Sequence, residues 1–124
     1  MAKVTGLAGV LVWTEPARFE AMRAFYVDVL GLTPRSDRDE FVNFEWGGQR
    51  LTIHTHSDVS GSTSEPHRVM LNLAVDGIEE LVQRAVDAGV EVLRRPERES
   101  WGGIVASLVD PDGTTVQLFE LRER

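Results

Sequence analysis

The order of helix and strand patterns occurs twice along the chain, and this repetition limits the possible folds more than any other feature. Apolar residues follow a helical spacing over residues 22–30 and again over residues 78–85. A glycine ends each pattern, and these two residues, Gly31 and Gly89, are 58 positions apart. Each helix follows one strand pattern and precedes three more. The chain therefore predicts the order β-α-β-β-β in each half.

Seven segments have the alternation or composition of strands, and an eighth is weakly marked. The seven are residues 9–13, 41–46, 50–56, 69–75, 90–95, 103–110 and 114–121, and the weak one is 33–38. Pro16 suits the first turn of the first helix. Asp76 is expected to cap the second helix, with Glu79 completing a capping box. The Ser- and Gly-rich residues 57–67 predict a linker between two modules.

Length and composition indicate one globular domain. The chain has 124 residues, of which 42% are hydrophobic and 27% are charged. We expect a single domain over residues 1–124, with module one at about 5–58 and module two at about 67–122. The sequence contains no cysteine, which excludes disulfides, thiol nucleophiles and cysteine-ligated metal sites.

The charge and the apolar segments narrow the range of partners and locations. The formal net charge is −7, and no stripe of lysine and arginine offsets it, so we expect no nucleic-acid partner. The apolar run at residues 7–13 is too short for a membrane span and lacks a signal cleavage pattern. The sequence therefore predicts a soluble cytoplasmic protein that does not bind membranes.

Two of the three histidines, His54 and His56, are two residues apart at the end of a strand pattern. Side chains with this spacing point to the same face of a strand. Two histidines from one strand supply at most two ligands, whereas a stable metal site needs three or four. They are metal ligands or polar residues at the end of a strand, and the sequence favours the second interpretation.

Several motifs in the same order resemble the signatures of one known family. They are FYVDVLGL at residues 25–32, the segment from Asn72 to Val90, WGG at 101–103 and DPDGTTVQLFE at 110–120. They are similar to signatures of the vicinal oxygen chelate superfamily, which includes glyoxalase I, bleomycin resistance proteins and extradiol dioxygenases. The resemblance implies an α+β fold in which two βαβββ modules form a cupped mixed sheet around a cavity.

The resemblance also implies where a metal would bind. Metal-dependent members of the superfamily carry His or Glu ligands on the first and last strand of each module. By alignment, these positions fall at Ala8 or Gly9, Thr52, Met70 and Gln117. None is His, Glu or Asp, and a thioether or a neutral amide is a poor ligand for Zn²⁺, Mg²⁺ or Fe²⁺. We therefore expect no metal and no cofactor.

The first functional hypothesis is a metal-independent binder of a small apolar or aromatic molecule. His54 would line the cavity on the same side as Thr52 and supply a polar contact. In metal-free relatives, aromatic residues near strand ends hold planar ligands between their rings. The expected ligand-binding residues are Thr52, His54, Met70, Gln117, Trp46 and Trp101.

Other hypotheses stay open at this point. A lyase, isomerase or dioxygenase would need one divalent metal ion held by a rearranged ligand set that includes His54 and His56. A metal-free enzyme or a regulatory partner protein on the same fold is a third hypothesis. The sequence does not decide whether the protein is an enzyme. Since many members of the superfamily are homodimers, we also expect a homodimer whose second subunit completes the cup.

Overall fold

The structure, a computed structural model, describes residues 2–122 of the chain. Eight strands and two helical segments account for most of these residues. The strands are β1 (Gly9–Thr14), β2 (Ser36–Arg38), β3 (Phe41–Trp46), β4 (Gln49–Thr55), β5 (Leu71–Ala74), β6 (Val92–Arg98), β7 (Gly103–Val109) and β8 (Thr115–Leu121). Within residues 2–122, no helix is both long enough and apolar enough to cross a membrane.

The strands form two four-stranded sheets, one from each half of the chain. Sheet 1 has the order β1-β4-β3-β2, and sheet 2 has the order β5-β8-β7-β6. In each sheet the first and last strands of the module pair in parallel, and the other pairs are antiparallel. A parallel pair needs a crossover connection, which the chain between the two strands provides, beginning with the helix. The predicted α+β fold of two βαβββ modules is confirmed.

The first helical segment changes its geometry along its length. A 3₁₀ turn at Pro16–Arg18 leads into helix α1 (Phe19–Arg23), and a π-helical turn follows at Ala24–Val29. Pro16 begins the segment and Gly31 ends it, as predicted. Gly31 has a φ of 77°, in the left-handed region where glycine is tolerated best. The π-helical turn was not predicted, because apolar spacing alone does not separate α from π geometry.

The second helix, α2 (Ile78–Asp87), is capped differently from the prediction. The N-cap position is Gly77, with a φ of 76°, and no side chain in the first turn caps the helix, so the expected capping box of Asp76 and Glu79 does not form. The backbone N–H of Ile78 instead donates to a carboxylate oxygen of Glu120 in β8, at 2.8 Å. A side chain 42 residues away in sequence therefore replaces the local cap.

One apolar core joins the two modules through their helices. Val42 and Phe44 of sheet 1 and Leu118 of sheet 2 belong to the same cluster of buried side chains. Arg84 of α2 donates through Nε to the backbone oxygen of Val29, at 2.6 Å, so the two helical segments also contact each other. Alternate residues of a strand point to opposite faces. The other face of each sheet, called here its open face, therefore points away from the shared core.

A buried hydrogen bond ties the first helical segment to the second module. The Tyr26 hydroxyl, which has no exposed surface, donates to Oδ2 of Asp110 at 2.8 Å. Oδ1 of Asp110 accepts from the backbone N–H groups of Asp112 and Thr114, at 2.9 and 3.0 Å. Burial raises the pKa of Asp110, and these hydrogen bonds offset only part of that effect. The turn at residues 110–113 is therefore also a contact between modules.

Candidate functional site

The open face of sheet 1 carries four side chains that form a row across all four strands. Trp13 of β1 pairs with His54 of β4, and His54 pairs with Phe41 of β3. Phe41 in turn pairs with Arg38 of β2. The ring centroids of Trp13 and His54 are 5.5 Å apart, and those of His54 and Phe41 are 5.1 Å apart. We call these four residues the aromatic row.

A second row on the same face is less aromatic and contains Thr52. Leu11 and Asn43 pair with Thr52 from either side. Thr52 and Asn43 are buried, whereas Leu11 is 62% exposed. Oδ1 of Asn43 accepts a hydrogen bond from the backbone N–H of Ser36, at 3.0 Å, which holds the amide in place. This row places an exposed leucine and a buried hydroxyl beside the aromatic row.

His54 and His56 share the open face, as the alternation predicts. Both rings contact Trp13, with centroid distances of 5.5 Å for His54 and 5.2 Å for His56. Nδ1 of His56 accepts a hydrogen bond from the backbone N–H of Asp58, at 3.0 Å, which leaves Nε2 for another partner. Within the part of the chain that the structure describes, no group of three or more His, Asp or Glu side chains is placed to hold a metal ion.

The open face of sheet 2 carries amides where the sequence alignment placed Met70 and Gln117. Asn72 of β5, and not Met70, pairs with Gln117 of β8. Nε2 of Gln117 donates to Oδ1 of Asn72 at 3.0 Å. Met70 precedes β5 and is 37% exposed. In sheet 1 the corresponding partner of Thr52 is Leu11, and not Ala8 or Gly9.

The register therefore pairs Leu11 with Thr52 and Asn72 with Gln117, whereas the resemblance named Ala8 or Gly9, Thr52, Met70 and Gln117. The four paired residues include no His, Glu or Asp. Their side chains are an alkyl group, a hydroxyl and two neutral amides. Divalent transition metals and Mg²⁺ are held in proteins mainly by imidazole, carboxylate and thiolate groups. The amide pair is also engaged in its own hydrogen bond. The donor set at these four positions does not fit a divalent metal ion.

Trp101 lies against the open face of sheet 2. Its indole is 5.4 Å from the ring of Phe119, centroid to centroid, and it covers the backbone of Gly103. A Cβ atom on Gly103 would lie 2.0 Å from the indole, so only glycine permits this position. Trp101 is still 58% exposed. An aromatic ring therefore lies on each open face of the chain, on sheet 1 and on sheet 2.

Trp46 belongs to neither open face. It lies on the core side of sheet 1, where its ring is 6.3 Å from that of Phe44. It lines a cleft of about 310 Å³ between the modules, beside Leu73 of β5 and Leu81 of α2. The predicted ligand-binding residues are thus divided among three places. Thr52 and His54 lie together on sheet 1, and Gln117 and Trp101 lie on sheet 2. Trp46 and Met70 line one cavity with residues of β1, β4 and β5.

The profile of the glyoxalase/bleomycin resistance protein/dioxygenase superfamily matches residues 17–118, which is most of the chain. The chain belongs to this superfamily. The family resemblance inferred from its motifs is therefore confirmed. No curated protein matches the sequence.

Solved structures of other superfamily proteins share the fold. A glyoxalase-related enzyme from Fulvimarina pelagi is 20% identical, with a TM-score of 0.74, and the alignment covers 94% of this chain and 88% of that one. A glyoxalase/bleomycin resistance protein/dioxygenase from Nocardioides is 21% identical, with a TM-score of 0.70 and coverage of 99% and 87%. A family enzyme from Burkholderia phytofirmans PsJN is 22% identical, with a TM-score of 0.70 and coverage of 93% and 98%. These identities establish the fold alone.

Proposed function

We propose that this superfamily member binds a small apolar or aromatic molecule on the open face of sheet 1, without a metal ion. The observation that carries the proposal is the aromatic row, in which Trp13, His54 and Phe41 lie side by side on a surface that the shared core leaves uncovered. Trp13 is 38% exposed, so part of its ring is available to a ligand. Aromatic rings supply large contact areas and stack on planar molecules.

Two polar residues, His54 within the row and Thr52 beside it, would orient the ligand. His54 is half-buried and lies between Trp13 and Phe41, where an imidazole nitrogen can donate to or accept from a bound molecule. The Thr52 hydroxyl lies one step along the same strand face. A pocket with mostly apolar walls and a few fixed polar groups is the usual form of a small-molecule site.

The proposed site is completed by a second copy of the chain. The shared core leaves the open face of sheet 1 uncovered, and a second copy of the chain would cover it. Leu11 on sheet 1 and Trp101 and Leu121 on sheet 2 are 62%, 58% and 70% exposed. A C2 dimer that places sheet 2 of one chain over sheet 1 of another would cover these side chains and enclose the row.

Matched substitutions on the two faces of sheet 1 test the proposed site. We expect W13L to weaken the binding of the neutral probe 2-naphthamide at least about tenfold, since it removes a stacking surface worth up to ~1.5 kcal/mol beyond its buried area. W46L makes the same change on the core side of the sheet and should leave binding unchanged. Calorimetric titration of both variants measures this difference. Equal losses in W13L and W46L would move the site to the cleft beside Trp46.

The alternative function is a lyase, isomerase or dioxygenase that holds a divalent metal ion with His54 and His56. It is supported by the shared face of the two histidines, and it needs a third ligand from a partner subunit. Elemental mass spectrometry of protein purified without chelator separates the two functions. The binder should contain almost no transition metal. About one equivalent per chain, lost in the H54A variant, would establish the metalloprotein.

A further inference from the structure

Arg38 is the last member of the aromatic row and lies on the edge strand β2. Its guanidinium carbon is 4.2 Å from the centroid of the Phe41 ring, within the range of a cation–π contact. This contact holds the guanidinium on the open face, at the far end of the row from Trp13. A guanidinium has five N–H donors, and a contact with a ring face does not use them as hydrogen-bond donors.

The other charged side chains on the open face of sheet 1 are paired. Glu45 and Arg50 pair across β3 and β4, and one oxygen of Glu45 is 3.5 Å from Nε of Arg50. The second oxygen of Glu45 is 3.1 Å from Nε of Arg35. By contrast, among residues 2–122 no carboxylate oxygen lies within 4.0 Å of a side-chain nitrogen of Arg38. Among the described residues, Arg38 is therefore a cation on this face without a carboxylate partner in the same chain.

The neighbouring acidic residues do not supply the missing partner. Asp37 adjoins Arg38 in the chain but points to the other side of β2, where its carboxylate pairs with Arg23. That ion pair lowers the pKa of Asp37 through the hydrogen bond from Arg23, so its charge is committed there. Asp39 and Glu40 lie in the exposed turn after Arg38 and make no ion pair with it.

We propose that the aromatic row selects planar aromatic carboxylates, with the ring against Trp13 and His54 and the carboxylate on Arg38. The inference rests on the proposed function and names the ligand class of that site. Adjacent strands are ~4.8 Å apart, so the span from His54 on β4 to Arg38 on β2 is about 10 Å, the size of a bicyclic aromatic acid. Arginine binds carboxylates through two parallel N–H donors, which a neutral ligand of the same shape cannot use as well.

Arg38 matters more for binding an anion because the net charge of the molecule repels anions. The net charge of the chain is −7, so its overall field disfavours an anionic ligand. A local cation at the end of the row would have to overcome this field. We therefore expect the preference for anions to depend on Arg38 alone and to weaken as salt screens the charge.

The test compares two probes of equal shape and different charge, 2-naphthoate and 2-naphthamide, by isothermal titration calorimetry at constant ionic strength. Wild-type protein should bind the carboxylate at least about tenfold more tightly than the amide, as expected for a hydrogen bond to a charged group. R38Q should abolish this preference, with a much larger loss of affinity for the carboxylate than for the amide. R38K keeps the positive charge but lacks the two parallel N–H donors of the guanidinium. It should therefore retain part of the preference for the carboxylate.

R68Q is the matched control, since Arg68 directly follows the linker and its ion pair within residues 2–122 is with the exposed Glu65. It should keep the full preference, which excludes a simple effect of net charge. Equal binding of the two probes by wild type, or a preference that survives in R38Q, would overturn the inference while leaving the proposed function intact. If neither probe binds to wild type, both proposals fail. Unchanged thermal unfolding of R38Q shows that the variant is folded.

Discussion

At the scale of single residues, the turn between β2 and β3 holds one strained position. Glu40 has a φ of 58°, the one positive value among the non-glycine residues that the structure describes. A Cβ atom in this region costs about 1–2 kcal/mol. The turn joins Arg38 and Phe41, which pair across the two strands. The strain therefore lies next to two members of the aromatic row.

Replacing Glu40 with glycine should stabilise the protein. Glycine removes the strain of the left-handed conformation, and the entropy it loses on folding offsets part of the gain, so we expect E40G to raise the free energy of unfolding by about 0.5–1 kcal/mol. Urea denaturation measures the change. E40A keeps the Cβ atom and should bring no gain. Equal stabilisation by E40A would mean that charge, and not backbone strain, is responsible.

The buried carboxyl group of Asp110 predicts an unusual pH dependence. Burial raises the pKa of Asp110 in the folded state above its unfolded value of about 3.9. The folded state therefore binds this proton more tightly, and the stability that protonation contributes is lost as the pH rises through the folded pKa. D110N carries no titrating proton, so its stability relative to wild type should increase as the pH is raised from about 4.

Urea denaturation of both proteins at a series of pH values measures this relative stability. Glu120 titrates in the opposite sense and is present in both proteins, so its contribution cancels in the comparison. A difference between wild type and D110N that stays constant with pH, or that changes in the opposite direction, would contradict the assignment of a raised pKa to Asp110.

At the scale of elements, the cap of α2 is a tertiary contact. Partial burial opposes the charge of Glu120, but hydrogen bonds from the Ile78 N–H and from Arg122 outweigh it and lower the pKa of this carboxyl. Gly77 cannot supply a side-chain cap. The carboxylate therefore supports the helix start at neutral pH, and this support is lost as the pH falls through the lowered pKa.

Removing this cap should cost about 1 kcal/mol. E120A leaves the N–H of Ile78 without its acceptor, and the loss of an N-terminal cap costs ~0.5–2 kcal/mol. E120Q keeps an oxygen acceptor and should lose less. Chemical denaturation of the two variants measures the difference. If E120A were as stable as wild type, water or a backbone group would have to replace the carboxylate.

Elements with a strong local pattern could be predicted from the sequence. The glycines that end both helices, and even the weakly marked strand β2, lie where the spacing and turn residues place them. The π-helical turn at Ala24–Val29 and the cap by Glu120 could not be predicted. Both depend on packing or hydrogen bonds between segments far apart in the chain, and no local pattern records them.

The exact positions of the site residues also could not be predicted from local patterns. The family alignment placed the first-strand positions at Ala8 or Gly9 and at Met70, whereas the residues that pair with Thr52 and Gln117 are Leu11 and Asn72. Leu11 is two positions from Gly9, and Asn72 is two positions from Met70, which is one period of a strand. The alternation of residues along a strand identifies the face on which a side chain lies. Which residues pair across two parallel strands depends on the register, and residues far apart in the sequence set that register.

At the scale of the whole molecule, the exposed side chains on the two open faces are the basis for proposing a second copy at the site. The helical segments pack within one shared core, and both open faces point away from it. Trp13 and Trp101 both lie on faces that a second copy of the chain could cover. A motif comparison does not reveal this arrangement, because both modules would have the same sequence whether they face each other or not.

We predict that the protein is a homodimer in solution. Sedimentation velocity at micromolar concentration should give a mass near twice 13.8 kDa. A charge placed on the open face of sheet 1, as in L11E on the edge strand β1, should shift the equilibrium toward monomer, since burying an unpaired carboxylate costs several kcal/mol. K3E changes the charge of the exposed N-terminal segment and serves as the control. If the wild-type protein is a monomer, a second copy of the chain does not cover the aromatic row.

Three titrations test most directly whether the aromatic row binds a planar molecule without a metal ion. 2-Naphthoate is titrated calorimetrically into protein dialysed against EDTA, and again after one equivalent of Mn²⁺ or Zn²⁺ has been restored. We predict one saturable site per chain, the same affinity in all three titrations, and loss of the signal in W13L. Binding that appears only after the metal is restored would contradict the claim and make His54 and His56 the first ligands to replace.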